Sequence, residues 1–172
     1  MARRASIFLV LAVIVTGTIA LPVVAENPTP ATASVTVNEF INFTVTDIGA
    51  PGINFGALTG GMTEQPEKDQ QQNGGAVKLQ VGSETNVVCN VQMKGEGDFR
   101  NSTGQTIPLG NVKWEKTNSP STAYSMTTSY ATVFTSSVGA VRAENVYYWI
   151  NVPSRQAAGT YTTTFWYQAV KQ

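Results

Sequence analysis

The amino-acid sequence predicts an all-β protein: a β-sandwich of about eight or nine strands, jelly-roll or immunoglobulin-like in order, after an N-terminal signal peptide. Three observations carry that expectation. Beyond residue 32, apolar and polar residues alternate in short runs, the period-2 signature of half-buried strands. Gly, Pro, Asn and Asp interrupt these runs at intervals of about 10 residues. No amphipathic helical pattern follows the leader. Composition agrees, because the 172 residues are 42% hydrophobic but only 13% charged, with Thr, Ser, Asn, Gln and Gly in place of the missing charge. That balance suits an extracellular all-β domain better than a cytosolic enzyme.

Residues 1–25 read as a secretory leader. Arg3 and Arg4 supply the charged start, Ile7 to Ile19 the apolar run, and Val23, Val24 and Ala25 a small-residue cleavage site. A retained anchor and a filament-type leader cut near Arg4 compete with this reading. Pro22, Pro28 and Pro30 oppose both, since proline interrupts a long helix. The mature chain is therefore expected to keep no stable membrane anchor. Residues 26–38 form a Pro/Thr-rich tail carrying a candidate donor strand, and 39–172 the sandwich domain.

The first strand signal is a long alternation of one parity. Ala33, Val35 and Val37 come before Glu39, and Ile41, Phe43 and Val45 after it. Such a run is one long strand or two in tandem, with Glu39 and Phe40 as the break. The second half pairs within its own domain, and the first is free to pair elsewhere. A turn follows over 47–52. Ile53 to Phe55 predicts a short strand, and the polar stretch 59–75 an exposed loop. Glu64, Glu67 and Asp69 in that loop lack the regular oxygen spacing of a calcium loop. Val77, Leu79 and Val81, the turn Gly82, Ser83 and Glu84, and then Val87, Cys89, Val91 and Met93 predict a hairpin. Val112 and Trp114 predict a short strand, and Tyr124 to Tyr130 another, followed by Phe134 and a turn near Gly139.

The closing stretch is the densest in β-branched and aromatic residues. Val146, Tyr148, Ile150 and Val152, then Tyr161, Thr163, Phe165, Tyr167 and Ala169, read as two neighbouring strands turned at Pro153 and Gly159. Tyr147, Trp149 and Trp166 fall on their second faces. They either pack under loops or form an exposed aromatic surface for a partner or a sugar.

Several chemistries are excluded. The chain has no histidine, which removes the commonest general base, the Ser and Cys triads and every His-based metal site. With a single cysteine, neither an intramolecular disulfide nor a thiolate zinc cluster can form, and Cys89 is expected to be a buried, inert thiol. Acidic and basic residues number 11 each, so no basic footprint for nucleic acid exists. Carboxylates such as Glu84, Glu96, Asp98, Glu115 and Glu144 fall mostly in predicted turns, and no nucleophile elbow, phosphate loop or dinucleotide fingerprint is present. The expectation is a non-enzyme without cofactor or metal. Asn42 and Asn101 head Asn-X-Thr sequons and are candidate glycan acceptors.

The order of leader, tail strand, INFGALTGG (53–61), TNVVCNVQMKG (85–95) and AGTYTTTFWYQAV (158–170) resembles secreted archaeal and bacterial sandwich proteins. In layout it is similar to donor-strand filament subunits, the archaeal bundling pilins and TasA-type fibre proteins. The resemblance covers most of the mature chain and is one of plan and strand texture. It implies extracellular polymerisation in which the N-terminal strand enters the next subunit, without a cofactor. Ala33, Val35 and Val37 would then be the inserted residues, and the partner a second copy of the chain. The alternative is a monomeric cell-surface module that binds glycans through Trp114, Trp149 or Trp166.

Overall fold

The computed structural model describes residues 32–46, 52–68 and 77–172; the expected leader and its cleavage site lie outside them. The chain divides into two units, 1–36 and 37–172. Of the first, residues 32–36 are described, and they are exposed and without secondary structure. The second holds every described strand: β1 (Phe43–Thr46), β2 (Gln65–Pro66), β3 (Val77–Val81), β4 (Cys89–Gly95), β5 (Phe99–Arg100), β6 (Thr106–Ile107), β7 (Val112–Glu115), β8 (Tyr124–Ser125), β9 (Ala131–Ser136), β10 (Arg142–Ile150) and β11 (Phe165–Lys171).

The strands form antiparallel sheets. One has the order β1-β3-β10-β7-β8, with β2 also paired to β10; a second has the order β11-β4-β9; β5 and β6 make a separate ribbon. Alternation dictates which face each strand buries. Val77, Leu79 and Val81 of β3, Val112 and Trp114 of β7, and Val146, Tyr148 and Ile150 of β10 meet Cys89, Val91 and Met93 of β4 in one apolar cluster. Phe165, Tyr167 and Ala169 of β11 pack against it.

Two expected hairpins are replaced by crossings between sheets. β10 and β11 do not pair, because β10 lies between β3 and β7 whereas β11 lies beside β4. The stretch 151–164 carries the chain across. Likewise β3 and β4 lie in different sheets although the turn at Gly82 is present, with Thr85 N–H donating to Gly82 O at 3.2 Å. In both cases the alternation marks the buried face of the strand and not its partner, and Val152, Tyr161 and Thr163 fall outside β10 and β11. Two strands whose apolar faces look at one another across a core have the same pattern as two that share a face.

Shorter elements also differ from expectation. Ile53 to Phe55 is not a strand; Lys68 N–H donates to Asn54 O at 2.7 Å and Asn54 N–H to Glu67 Oε1 at 3.3 Å. The polar stretch after Thr59 is not wholly loop, since β2 extends the sheet beside β10 and Glu67 is buried. The strand expected over Tyr124 to Tyr130 ends at Ser125: Thr127 O accepts Gly95 N–H at 2.9 Å, and the chain is already leaving β7 for the other sheet. In β9, Val133 and Phe134 are both buried because the register with β4 shifts at Val91 and Gln92, a bulge that turns two successive side chains inward.

Tyr148 joins the sheets. It is 1% exposed, its ring lies 5.5 Å from that of Phe165, and its hydroxyl is 2.8 Å from the hydroxyl of Tyr167 and donates to Met93 Sδ at 3.8 Å. Burial raises both phenol pKa values above the ordinary range, and the neighbouring Tyr167 raises that of Tyr148 further. At Gly95 the fold needs the absence of a side chain, because a Cβ there would sit 2.5 Å from Cδ1 of Leu109, the buried residue of the 3-10 turn Leu109–Asn111.

Because the folded state holds both phenols protonated, the stability they contribute is complete below the unfolded pKa near 10 and falls as pH rises through it. Denaturant midpoints should therefore be level up to about pH 8, begin to fall near pH 9 as the Cys89 thiol, raised by burial in the folded state, ionises in the unfolded chain, and drop further above about pH 10 as the phenols follow. Tyr167→Phe should cost about 1 kcal/mol at neutral pH, measured by urea unfolding. Gly95→Ala should cost about 1–3 kcal/mol in the same assay, as expected for overpacking.

Candidate functional site

Two features of the chain are complementary in kind, an unpaired strand-like segment and an uncovered sheet edge. The segment is 33–37. Ala33, Val35 and Val37 share one parity, none belongs to a sheet, and Val35 and Val37 are 87% and 75% exposed. The chain then becomes fixed at one residue. Asn86 donates through Nδ2 to Asn38 O at 2.8 Å, accepts Phe40 N–H on Oδ1 at 2.7 Å, and donates its own N–H to Phe40 O at 3.0 Å. A side-chain amide has the donor and acceptor of a peptide group, so Asn86 stands in for a strand over Asn38 to Phe40. Lys171 pairs with Glu39 beside it, and β1 begins at Phe43, one residue after the sequon asparagine that was expected inside the strand.

The edge is that of β9. Among the described residues β9 pairs only with β4 and ends its sheet, and β8 ends the other. Between these edges runs an open groove of about 450 Å³, floored by Trp114 and Tyr124 and flanked by Ser125, Thr127, Ala131 and Val133. The groove lies where β8 ends one sheet and β9 the other. Tyr124 is 61% exposed although its ring packs 5.4 Å from Trp114. At the far end of β9, Arg142 Nη1 donates to Thr135 O at 2.7 Å and its guanidinium lies 5.1 Å from the Phe134 ring.

The remaining expected residues are dispersed. Tyr147 and Trp149 lie on β10 with rings 6.4 Å apart, Trp149 only 3% exposed, whereas Trp166 is half exposed on β11 of the other sheet. The three do not make one surface, because β10 and β11 are not neighbours. Trp114 is buried. Asn42 donates through Nδ2 to Glu84. Asn101 Oδ1 accepts from Thr103 N–H, Thr103 Oγ1 and Gln105 N–H at 3.1, 3.0 and 2.8 Å, and its Nδ2 lies against Gly159.

Glu64 pairs with Lys113 at 3.2 Å, Glu67 and Glu115 are buried, and Asp69 lies outside the described residues. Among the described residues, no three His, Cys, Asp or Glu side chains are grouped to hold a metal, and no helix is long and apolar enough to cross a membrane. Cys89 is fully buried, which raises its thiol pKa.

The groove escaped sequence reasoning because it depends on which strands end the sheets. Its only local signal was the Tyr124 alternation. No family model matches the chain, and no curated protein matches it.

Asn86→Ala should release residues 38–40 without opening the core. Amide exchange at Phe40 should accelerate while β3 amides keep their protection, and stability should fall by about 1 kcal/mol.

Proposed function

We propose that the protein is an exported structural subunit that polymerises outside the cell by strand exchange. Residues 33–37 of one copy add to the free edge of β9 in the next, where they complete a two-sheet sandwich. The observation that carries this reading is the presence, in one chain, of an exposed alternating segment outside its own sheets and a sheet edge beside a groove in which Tyr124 is left exposed against the buried Trp114. The layout it shares with donor-strand filament subunits points the same way, and the leader in 1–25 supplies the route of export.

An added strand satisfies the β9 edge with main-chain hydrogen bonds, while alternate side chains fix its register. With Val35 and Val37 turned inward they would lie over Trp114 and Tyr124, and Ser34 and Thr36 would face solvent. Burying each valine contributes about 1.5–3 kcal/mol, against the ordering of about five residues at 1–2 kcal/mol each. Ladder bonds and the covered aromatic floor must supply the rest. Donor and acceptor are different surfaces of the subunit, so the contact is heterologous, and a rotation between copies that does not close a ring builds a filament. No cofactor or metal enters the reading.

Residues 26–172 should form filaments by negative-stain microscopy, and a chain starting at Asn38 should form none. Since 33–37 belong to no sheet of their own chain, the truncated protein should keep its thermal midpoint. Unfolding of the truncated chain would instead place the segment in its own subunit.

Two full-length variants test donor and acceptor separately. Val35→Asp/Val37→Asp and Tyr124→Asp should each remain folded monomers alone, and together should form dimers that grow no further. Filaments from either variant alone would sink the assignment.

A further inference from the structure

The outer face of the β11-β4-β9 sheet carries an ordered array that packing of the core does not require. Across its first row, Trp166 is in register with Lys94, and Lys94 Nζ lies 4.8 Å from the centre of the Tyr130 ring. Trp166 is 49% and Tyr130 38% exposed. In the second row Gln168 Nε2 donates to Gln92 Oε1 at 3.0 Å and Gln92 Nε2 to Thr132 Oγ1 at 3.4 Å. In the third, Thr135 Oγ1 donates to Asn90 Oδ1 at 2.6 Å. From Trp166 to Val170 the pad is about 13 Å long, and three strands make it about 10 Å wide.

We infer that this face binds an acidic polysaccharide, with Trp166 and Tyr130 as ring platforms, Lys94 as the carboxylate partner and the amide row as the hydroxyl contacts. The chemistry follows from what the pad contains. Half-exposed aromatic rings offer flat apolar surface to the C–H face of a sugar, and planar amides offer donors and acceptors spaced like its hydroxyls. The strand positions of the pad hold no carboxylate and one ammonium, Lys94. Arg142, at the far end of β9, is paired with Glu144 at 2.9 Å, and Glu96 follows the end of β4. A single cation is too few for a nucleic acid, whose affinity grows with many phosphate contacts. It suits a chain that carries one carboxylate per sugar or disaccharide. The inference is independent of polymerisation, because it concerns the sheet's outer face and not its edge.

The test uses the full chain with Val35→Asp/Val37→Asp, which removes assembly as a competing signal. Trp114 and Trp149 are buried, so the change in tryptophan emission and in acrylamide quenching reads Trp166. Titration with galacturonate, alginate and hyaluronan hexasaccharides should give a saturable change with at least one of them, weakening as salt is raised. Trp166→Ala, scored by calorimetry, should abolish binding, and Lys94→Gln should weaken it about tenfold and remove the salt dependence.

Trp166 is exposed and Lys94 half-buried, and unchanged thermal midpoints would separate lost binding from lost fold. No change with any of the three sugars, or undiminished binding by the Trp166 variant, would overturn the inference. Equal binding of a neutral hexasaccharide, cellohexaose, would overturn the acidic assignment. A signal that follows protein concentration without sugar would make the pad a contact between copies instead.

Discussion

A phenol at the centre of an apolar core constrains everything around it. Tyr148 is enclosed, and its hydroxyl would be costly there without a partner; the partners come from the opposite sheet, the hydroxyl of Tyr167 on β11 and the sulfur of Met93 on β4. The contact runs between β10 and β11, which lie in different sheets and are not neighbours. β4 then lies across from β10, and β11 toward the β1 side, where the two strands touch. β9 falls on the side of β7 and β8. The buried hydrogen bond thus ties together the two sheets between which the connections cross.

The sequence made the faces legible and left the partners open. In β3, β4, β7 and β10 the alternation identified the buried side chains, because a strand's period of two is a local property. Which strand neighbours which is not local. Val77 to Val81 and Cys89 to Met93 satisfy a hairpin and a pair of facing strands equally well, and the Gly82 turn is present in both. The bulge at Val133 and Phe134 breaks the alternation and so hid part of β9. Asn86 gave no signal beyond being polar; its role over Asn38 to Phe40 appears only when residues far apart in the chain come together. Near Glu39, by contrast, a charged residue interrupts a run of one parity, and the described strand that follows begins at Phe43.

An open edge exposes unpaired backbone groups to any extended chain. Here its position limits that hazard. Arg142 occupies Thr135 O at one end of β9, and the bulge twists the strand beside its middle, which leaves a short stretch over an aromatic floor. A strand must match both the length and the alternation to gain from it. In the strand exchange proposed above, Val35 and Val37 with Thr36 between them would do so. Such an edge would discriminate by register and by side-chain size, while its backbone would accept any sequence.

The only cysteine of the chain, Cys89, is sealed under the core with no exposed surface. Its thiol has burial against ionisation as well as against access, so oxidants and thiol exchange reach it only after the core opens. The fold consequently contains no covalent staple to form or lose. Its folding equilibrium is the same in reducing and oxidising surroundings, and the protein can mature at the same rate with or without a disulfide catalyst. Its resistance to unfolding is set entirely by packing and hydrogen bonds.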